Sequence, residues 1–157
     1  MRKRIISQNV KEFSPAHQGW LDLEYLAQVE ITSEDPTHPI ESALVPRTGS
    51  GWRAAHPGKQ TVRLLFDEPL RIRRVRLLFH EEERQRTQEF VVRWSADAGQ
   101  TYREMVRQQY TFSPPATTTE LEDYVVDLSG VTAVELSIVP DISGGNAHAS
   151  LTQFQLE

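Results

Sequence analysis

A chain of 157 residues with 17 basic and 22 acidic side chains carries a formal net charge of −5, which opposes sequence-independent attachment to a polyanion, where Lys and Arg must neutralise phosphates. A charged fraction of 25% and a hydrophobic fraction of 38% exclude wholesale disorder and fibrous classes, and a chain of this length buries roughly 70% of its unfolded surface around one core. With no cysteine, disulfides, thiolate metal sites and a thiol nucleophile are excluded together.

The N-terminus, Met1-Arg2-Lys3-Arg4-Ile5-Ile6, is basic, but its apolar stretch stops at Ser7-Gln8-Asn9, short of the hydrophobic region a secretory signal needs. No apolar run approaches the ~20 residues that span a bilayer. The expected location is the cytoplasm, and the expected organisation is one domain over residues 1–157, with 1–20 as an extension packed on or beside it.

Leu21, Leu23, Tyr25, Ala27, Val29 and Ile31 alternate with polar residues, the period-two signature of a half-buried strand; a helix remains an alternative for the first half of that stretch. Pro39 to Leu44 reads as a short helix. Further ladders follow at Val62/Leu64/Phe66, Phe90/Val92/Trp94, Tyr124/Val126/Leu128, Val134/Leu136/Ile138 and Phe154/Leu156. In Leu70-Arg71-Ile72-Arg73-Arg74-Val75-Arg76-Leu77-Leu78-Phe79 the apolar phase shifts between Ile72 and Val75, so a bulge at Arg73-Arg74 is expected to keep Ile72, Val75, Leu77 and Phe79 inside. Turn-forming clusters separate the ladders at 33–39, 46–51, 96–99, 113–119 and 140–146. Strand, turn, strand repeated in this way is an all-β sandwich pattern with at most short helices.

Two segments carry a family resemblance. The string Ser33-x-Asp35-x-Thr37-His38-x-x-Glu41-x-x-Leu44 and the block Trp52-Arg53-Ala54-Ala55-x-x-Gly58 resemble the opening of a discoidin, or F5/8 type C, domain of the galactose-binding-like class. The nearest subtype is the N-terminal domain of the X-ray repair cross-complementing scaffold protein, a DNA single-strand-break repair factor. Outline similarity continues through Ser95 to Tyr102 and Ala149 to Leu156. The resemblance implies an eight-stranded jelly-roll β-sandwich whose ligands, among them glycans, lipid headgroups, proteins and nucleic acid, are held by loops at one end. Many such domains hold a structural calcium ion; this sequence departs from that pattern, with Pro46-Arg47-Thr48-Gly49-Ser50-Gly51-Trp52 where an Asp-Gly is usual and Gln153 where a glutamate is usual. A hard divalent ion requires anionic oxygens, so no calcium is expected.

Ser95-Ala96-Asp97-Ala98-Gly99-Gln100-Thr101-Tyr102 fits an Asp-box, read here as a hairpin staple in which Asp97 accepts backbone N–H groups across the turn. The five histidines, His17, His38, His56, His80 and His148, lack metal-ligand spacing; His38 reads as a loop residue whose ring bonds backbone. No nucleophile elbow, P-loop or dinucleotide fingerprint is present, and no catalysis and no cofactor are expected. Arg71, Arg73, Arg74 and Arg76 form the sharpest charge cluster, and Arg84 and Arg86 continue it beyond His80-Glu81-Glu82-Glu83. They are read either as a polyanion or partner contact or as a solvated edge strand that meets the glutamates at 81–83. Trp94 reads as core, Trp52 as packed beneath its loop, and Trp20, beside His17 and Gly19, as the exposed candidate.

The expected function is a non-catalytic carbohydrate-binding module in which the loops 48–53 and 141–148 converge and present Arg53, Asp141, Asn146 and His148 to a hydroxyl-rich ligand. The alternative is a protein- or DNA-interaction scaffold, with nucleic acid the less favoured partner and no membrane contact.

Overall fold

The computed structural model describes residues 19–45 and 50–157. Their regular elements, in chain order, are the one-turn helix α1 (Leu23–Leu26), β1 (Ala27–Ile31), the one-turn helix α2 (Glu41–Leu44), β2 (Trp52–Pro57), β3 (Gln60–His80), β4 (Arg86–Ser95), β5 (Arg103–Phe112), β6 (Thr119–Val139), β7 (His148–Leu151) and β8 (Gln153–Leu156). The first ladder is thus split: Asp22 caps a helical turn by accepting the Tyr25 N–H, and only its second half is a strand. Asp and Asn compete well for such N-terminal N–H groups.

The ladders at 62–66 and 70–79 are two halves of β3, and those at 124–128 and 134–138 two halves of β6. β3 and β6 pair antiparallel along their length, with register shifts between Leu65 and Leu70, Leu70 and Ile72, and Ile72 and Arg74. The last shift is the expected bulge: Ile72, Val75, Leu77 and Phe79 are all fully buried, while the N–H groups of Arg73 and Arg74 both donate to the Glu157 carbonyl. On β6 the break falls at Gly130, whose φ of +68° is open to glycine at little cost.

The breaks bend the ribbon so that its two halves belong to opposite layers. The first half of β3 pairs with β1, and the second half of β6 pairs with β4, which pairs in turn with β5. The second half of β3 pairs with β8. Two contacts run across the core instead of along a ladder: the rings of Phe79 and Phe90 stack at 5.3 Å, and Gln88 on β4 donates to Glu120 at the start of β6. A pair such as Phe79 with Phe90 is worth about 1 kcal/mol beyond its burial. The layers close over Leu64, Ile72, Leu77, Phe90, Leu136 and Phe154, all fully buried, and the all-β sandwich read from the alternation is the observed architecture.

β5 carries no legible ladder. It is the outer strand of its layer, paired with β4 alone, and only Met105, Val106, Tyr110 and Phe112 turn toward the core.

Candidate functional site

A two-stranded ribbon of β2 and β7 places Arg53 opposite Ser150 and Pro57 opposite His148. Alternation decides which side chains face out: Trp52, Ala54, Ala149 and Leu151 are buried, so Arg53, His148 and Ser150 lie on the other face. Trp52 donates its indole N–H to the Ser33 carbonyl at 3.1 Å, packing beneath its loop as expected. Gly51 makes the approach possible, since a Cβ there would lie 2.8 Å from the Leu151 carbonyl oxygen.

Two connections stand over this ribbon, residues 81–85 between β3 and β4 and 140–147 between β6 and β7. They bound a groove of about 650 Å³ lined by Arg53, His80, Glu83, Arg84, Asn146 and His148 among others. It continues into a hollow of about 430 Å³ that shares Arg53, His80, Glu83 and Ser150 and extends to Asp35 and His38. Arg84 spans the walls by donating to Asn146 Oδ1 at 3.1 Å, leaving the Asn146 amide donors unused by that bond. His148 Nδ1 lies 3.0 Å from the Ala54 carbonyl; a carbonyl only accepts, so Nδ1 carries the proton and Nε2 of the neutral ring is an acceptor. Arg53 is exposed, and its guanidinium has no hydrogen-bond or ion-pair partner among the described residues. Asp35, held below its usual carboxylate range by the Thr37 N–H and hydroxyl and then by the charges of His38 and Arg53, keeps a negative charge at the far end.

Arg53, Asn146 and His148 are therefore brought together, and Asp141 is not. Its Oδ1 accepts the Ser143 N–H at 3.0 Å, an Asx turn of its own loop, and it lines a separate hollow with Lys59, Gly144 and Gly145. Glu83 and Ser150 join the groove without having been singled out, and His80 and Arg84 join it in place of their readings as one of five histidines and as a continuation of the arginine cluster, because their relevance depends on which turns fold over β2 and β7. Residues Pro46 to Gly49, which bear on the calcium comparison, and His17 lie outside the described residues.

The arginines of β3 require correction. β3 is not an edge strand, and its charges do not meet the glutamates at 81–83. Arg71 pairs with Asp127 at 2.8 Å, Arg74 with Asp123 at 2.7 Å and Glu157 at 3.5 Å, and Arg76 with Asp123 at 3.5 Å. Only Arg73 stands exposed without an ion-pair partner among the described residues. The Arg74 bond also holds the Asp123 carboxyl below its usual range. Trp20 is half-buried with the Arg74 guanidinium 4.8 Å above its ring, a cation–π cover in place of an open platform. Trp94 is half-buried at the rim of the core, with Arg103 5.7 Å over it. The His38 ring bonds the Thr37 hydroxyl at 2.9 Å, not backbone; its own backbone ties the loop, donating to Asp35 and accepting from Arg53.

The Asp-box is a staple. Asp97 accepts the Ser95 hydroxyl at 2.6 Å, the Thr101 N–H at 2.9 Å and the Thr101 hydroxyl at 2.5 Å. Those bonds, the Ser95 hydroxyl first, bring its carboxyl down to about 2. Inside the sandwich, Glu120 is 1% exposed; burial, then the neighbouring Glu122, pushes its carboxyl up to about 8.

No protein-family model matches the sequence, and no curated protein matches it. Solved structures do. A CBM32-3 module from a family 31 glycoside hydrolase of Clostridium perfringens is 13% identical, covers 87% of this chain and 93% of its own, and superposes with a TM-score of 0.62. The CBM32-5 module of a C. perfringens GH89 protein, in complex with GalNAc-β-1,3-galactose, is 16% identical over 87% of this chain and 98% of that one, with a TM-score of 0.65. The family 32 module of C. perfringens NanJ, in complex with galactose, is 8% identical over 87% and 96%, again at 0.65. Identities this low show the fold alone: the chain has the galactose-binding-like β-sandwich of family 32 carbohydrate-binding modules.

Proposed function

We propose that the chain is a non-catalytic carbohydrate-binding module whose groove takes a sugar through Arg53, Asn146 and His148. The observation that carries this reading is unspent hydrogen-bonding capacity gathered in one concavity: a guanidinium with no hydrogen-bond partner among the described residues, the amide donors of Asn146 and the Nε2 acceptor of His148, beside the Ser150 hydroxyl. A ring bearing several hydroxyls needs such a mixture of donors and acceptors. That two structural neighbours hold galactose or a GalNAc-galactose disaccharide supports a sugar over other ligands. No aromatic face other than that of the buried Trp52 borders the groove among the described residues, so polar contacts dominate and affinity is weak. Calorimetric titration with galactose, N-acetylgalactosamine and galacturonic acid is expected to give binding in the millimolar range, about −4 kcal/mol. Silence from all three up to about 10 mM removes the reading.

A second reading, a protein- or DNA-interaction scaffold in the cytoplasm, rests on the resemblance of Ser33 to Leu44 and Trp52 to Gly58 to the repair-scaffold subtype. Pairing of Arg71, Arg74 and Arg76 with acids weakens its DNA form, because paired guanidiniums have less charge to offer phosphate. Fluorescence polarisation with nicked and intact duplex at two salt concentrations tests it; no change at low salt eliminates DNA.

A further inference from the structure

We infer that Arg86 is the positioning residue that joins the two walls of the groove into one unit, an inference that rests on the groove being the binding site. Arg86 opens β4 with its side chain 1% exposed, packed 4.8 Å from the Phe112 ring. Its Nε donates to Glu81 Oε1 at 2.7 Å, and its Nη1 donates to the Pro140 carbonyl at 2.8 Å and to Gln88 Oε1 at 3.3 Å. Glu81 and Pro140 begin the two walls.

Each wall is shaped by what Arg86 holds. The other oxygen of Glu81 accepts the N–H groups of Glu83 at 2.9 Å and Arg84 at 3.3 Å, which folds the first wall. Burial favours the neutral Glu81 carboxyl, but the Arg86 bond and these N–H bonds outweigh it and keep the group ionised. The second wall starts at the carbonyl fixed by Arg86, and its Ile142 N–H donates to Thr87, the residue next to Arg86, at 2.8 Å. Arg84 then reaches Asn146 and closes a ring: Arg86 to Glu81, through the turn to Arg84, across to Asn146, and back along the chain to Pro140. Such a closed circuit of charge-assisted bonds is a physical route for coupling. A guanidinium suits the role because its planar fork donates in two directions at once, which an ammonium on a flexible stem does not.

Hydrogen exchange on the full chain separates this arrangement from two independent loops. Glu81→Ala leaves Arg86 buried without its carboxylate; exchange is expected to rise at least about tenfold at Glu83 and Arg84 and also at Ile142 to Gly144, whose N–H groups are bonded in the second wall, with 95–102 unchanged. Arg86→Met should open both walls likewise, and if that variant does not fold Glu81→Ala carries the test alone. Leu136→Ala, a core cavity that touches neither wall, is expected to loosen 95–102 as much as the groove. Faster exchange confined to 82–85 in Glu81→Ala overturns the inference. Galactose titration of the same variants should show about tenfold weaker binding; a wild-type chain that binds no sugar defeats the glycan reading and leaves the exchange result to decide the coupling.

Discussion

The two ends of β4 are built from similar materials and do opposite things. Past Ser95 a carboxylate organises a tight turn, and before Arg86 another carboxylate does the same. At the Asp97 turn the Ser95 and Thr101 hydroxyls and the Thr101 N–H are all consumed by that one side chain, so those two hydroxyls have no hydrogen left to donate to a ligand. At the groove, Glu81 is likewise consumed in shaping one wall, but open valences remain beside it in Arg53 and His148 of the β2–β7 ribbon and in Asn146 of the facing wall. Polarity does not mark a recognition surface; capacity left over after the chain has satisfied itself does.

The largest expected effect attacks the groove end from below. Arg86→Met strands Glu81 and the Pro140 carbonyl, and urea denaturation should register a loss of about 3 kcal/mol, the cost of breaking one side of a buried pair. Next comes the polar interior between the ends. Because the folded Glu120 carboxyl is raised to about 8, the native state holds a proton that the unfolded chain releases near its ordinary value. Stability should therefore fall as pH rises from about 5 to about 8 and then level off. Glu120→Gln flattens this Tm profile; a wild-type Tm that climbs through the same window contradicts the assignment. Arg53→Ala sharpens the contrast at the surface: sugar affinity should drop about tenfold, near 1.4 kcal/mol, with Tm unmoved. The smallest effect is the counterpart at the other end. Asp97→Ala should lower Tm slightly and leave sugar affinity alone. Its stabilisation, present above the ordinary carboxylate pKa and lost as pH falls toward about 2, should vanish from the acid limb of the profile.

What the sequence made legible was local. The shift in apolar phase between Ile72 and Val75 revealed the β3 bulge, because alternation counts residues within one strand. The Asp-box was legible because Ser95, Asp97 and Thr101 meet across one turn. Arg53 was reachable because it lies in the Trp52 to Gly58 block that carries the resemblance, and Asn146 and His148 because their polar loop runs into the closing Ala149 to Leu156 stretch. Asp127 and Asp123, 56 and 49 residues from the arginines they neutralise, were not, because their pairing exists only once β3 and β6 align. For the same reason Glu81 to Glu83 read as an acidic neighbour of the arginines and Arg84 as a continuation of their cluster, whereas the fold turns that segment away to wall the groove. β5 escaped because an outer strand needs few inward apolar residues.

The bent ribbon of β3 and β6 bears on how this molecule can vary. Alignment of its strands is set by pairings inside the layers, β3 against β6, β4 against β5 and β6, and β7 against β2, and none of these depends on the length of 81–85 or 140–147. Insertions in either segment would lengthen a rim without sliding a strand, so the frame can carry rims of different reach over an unchanged foundation.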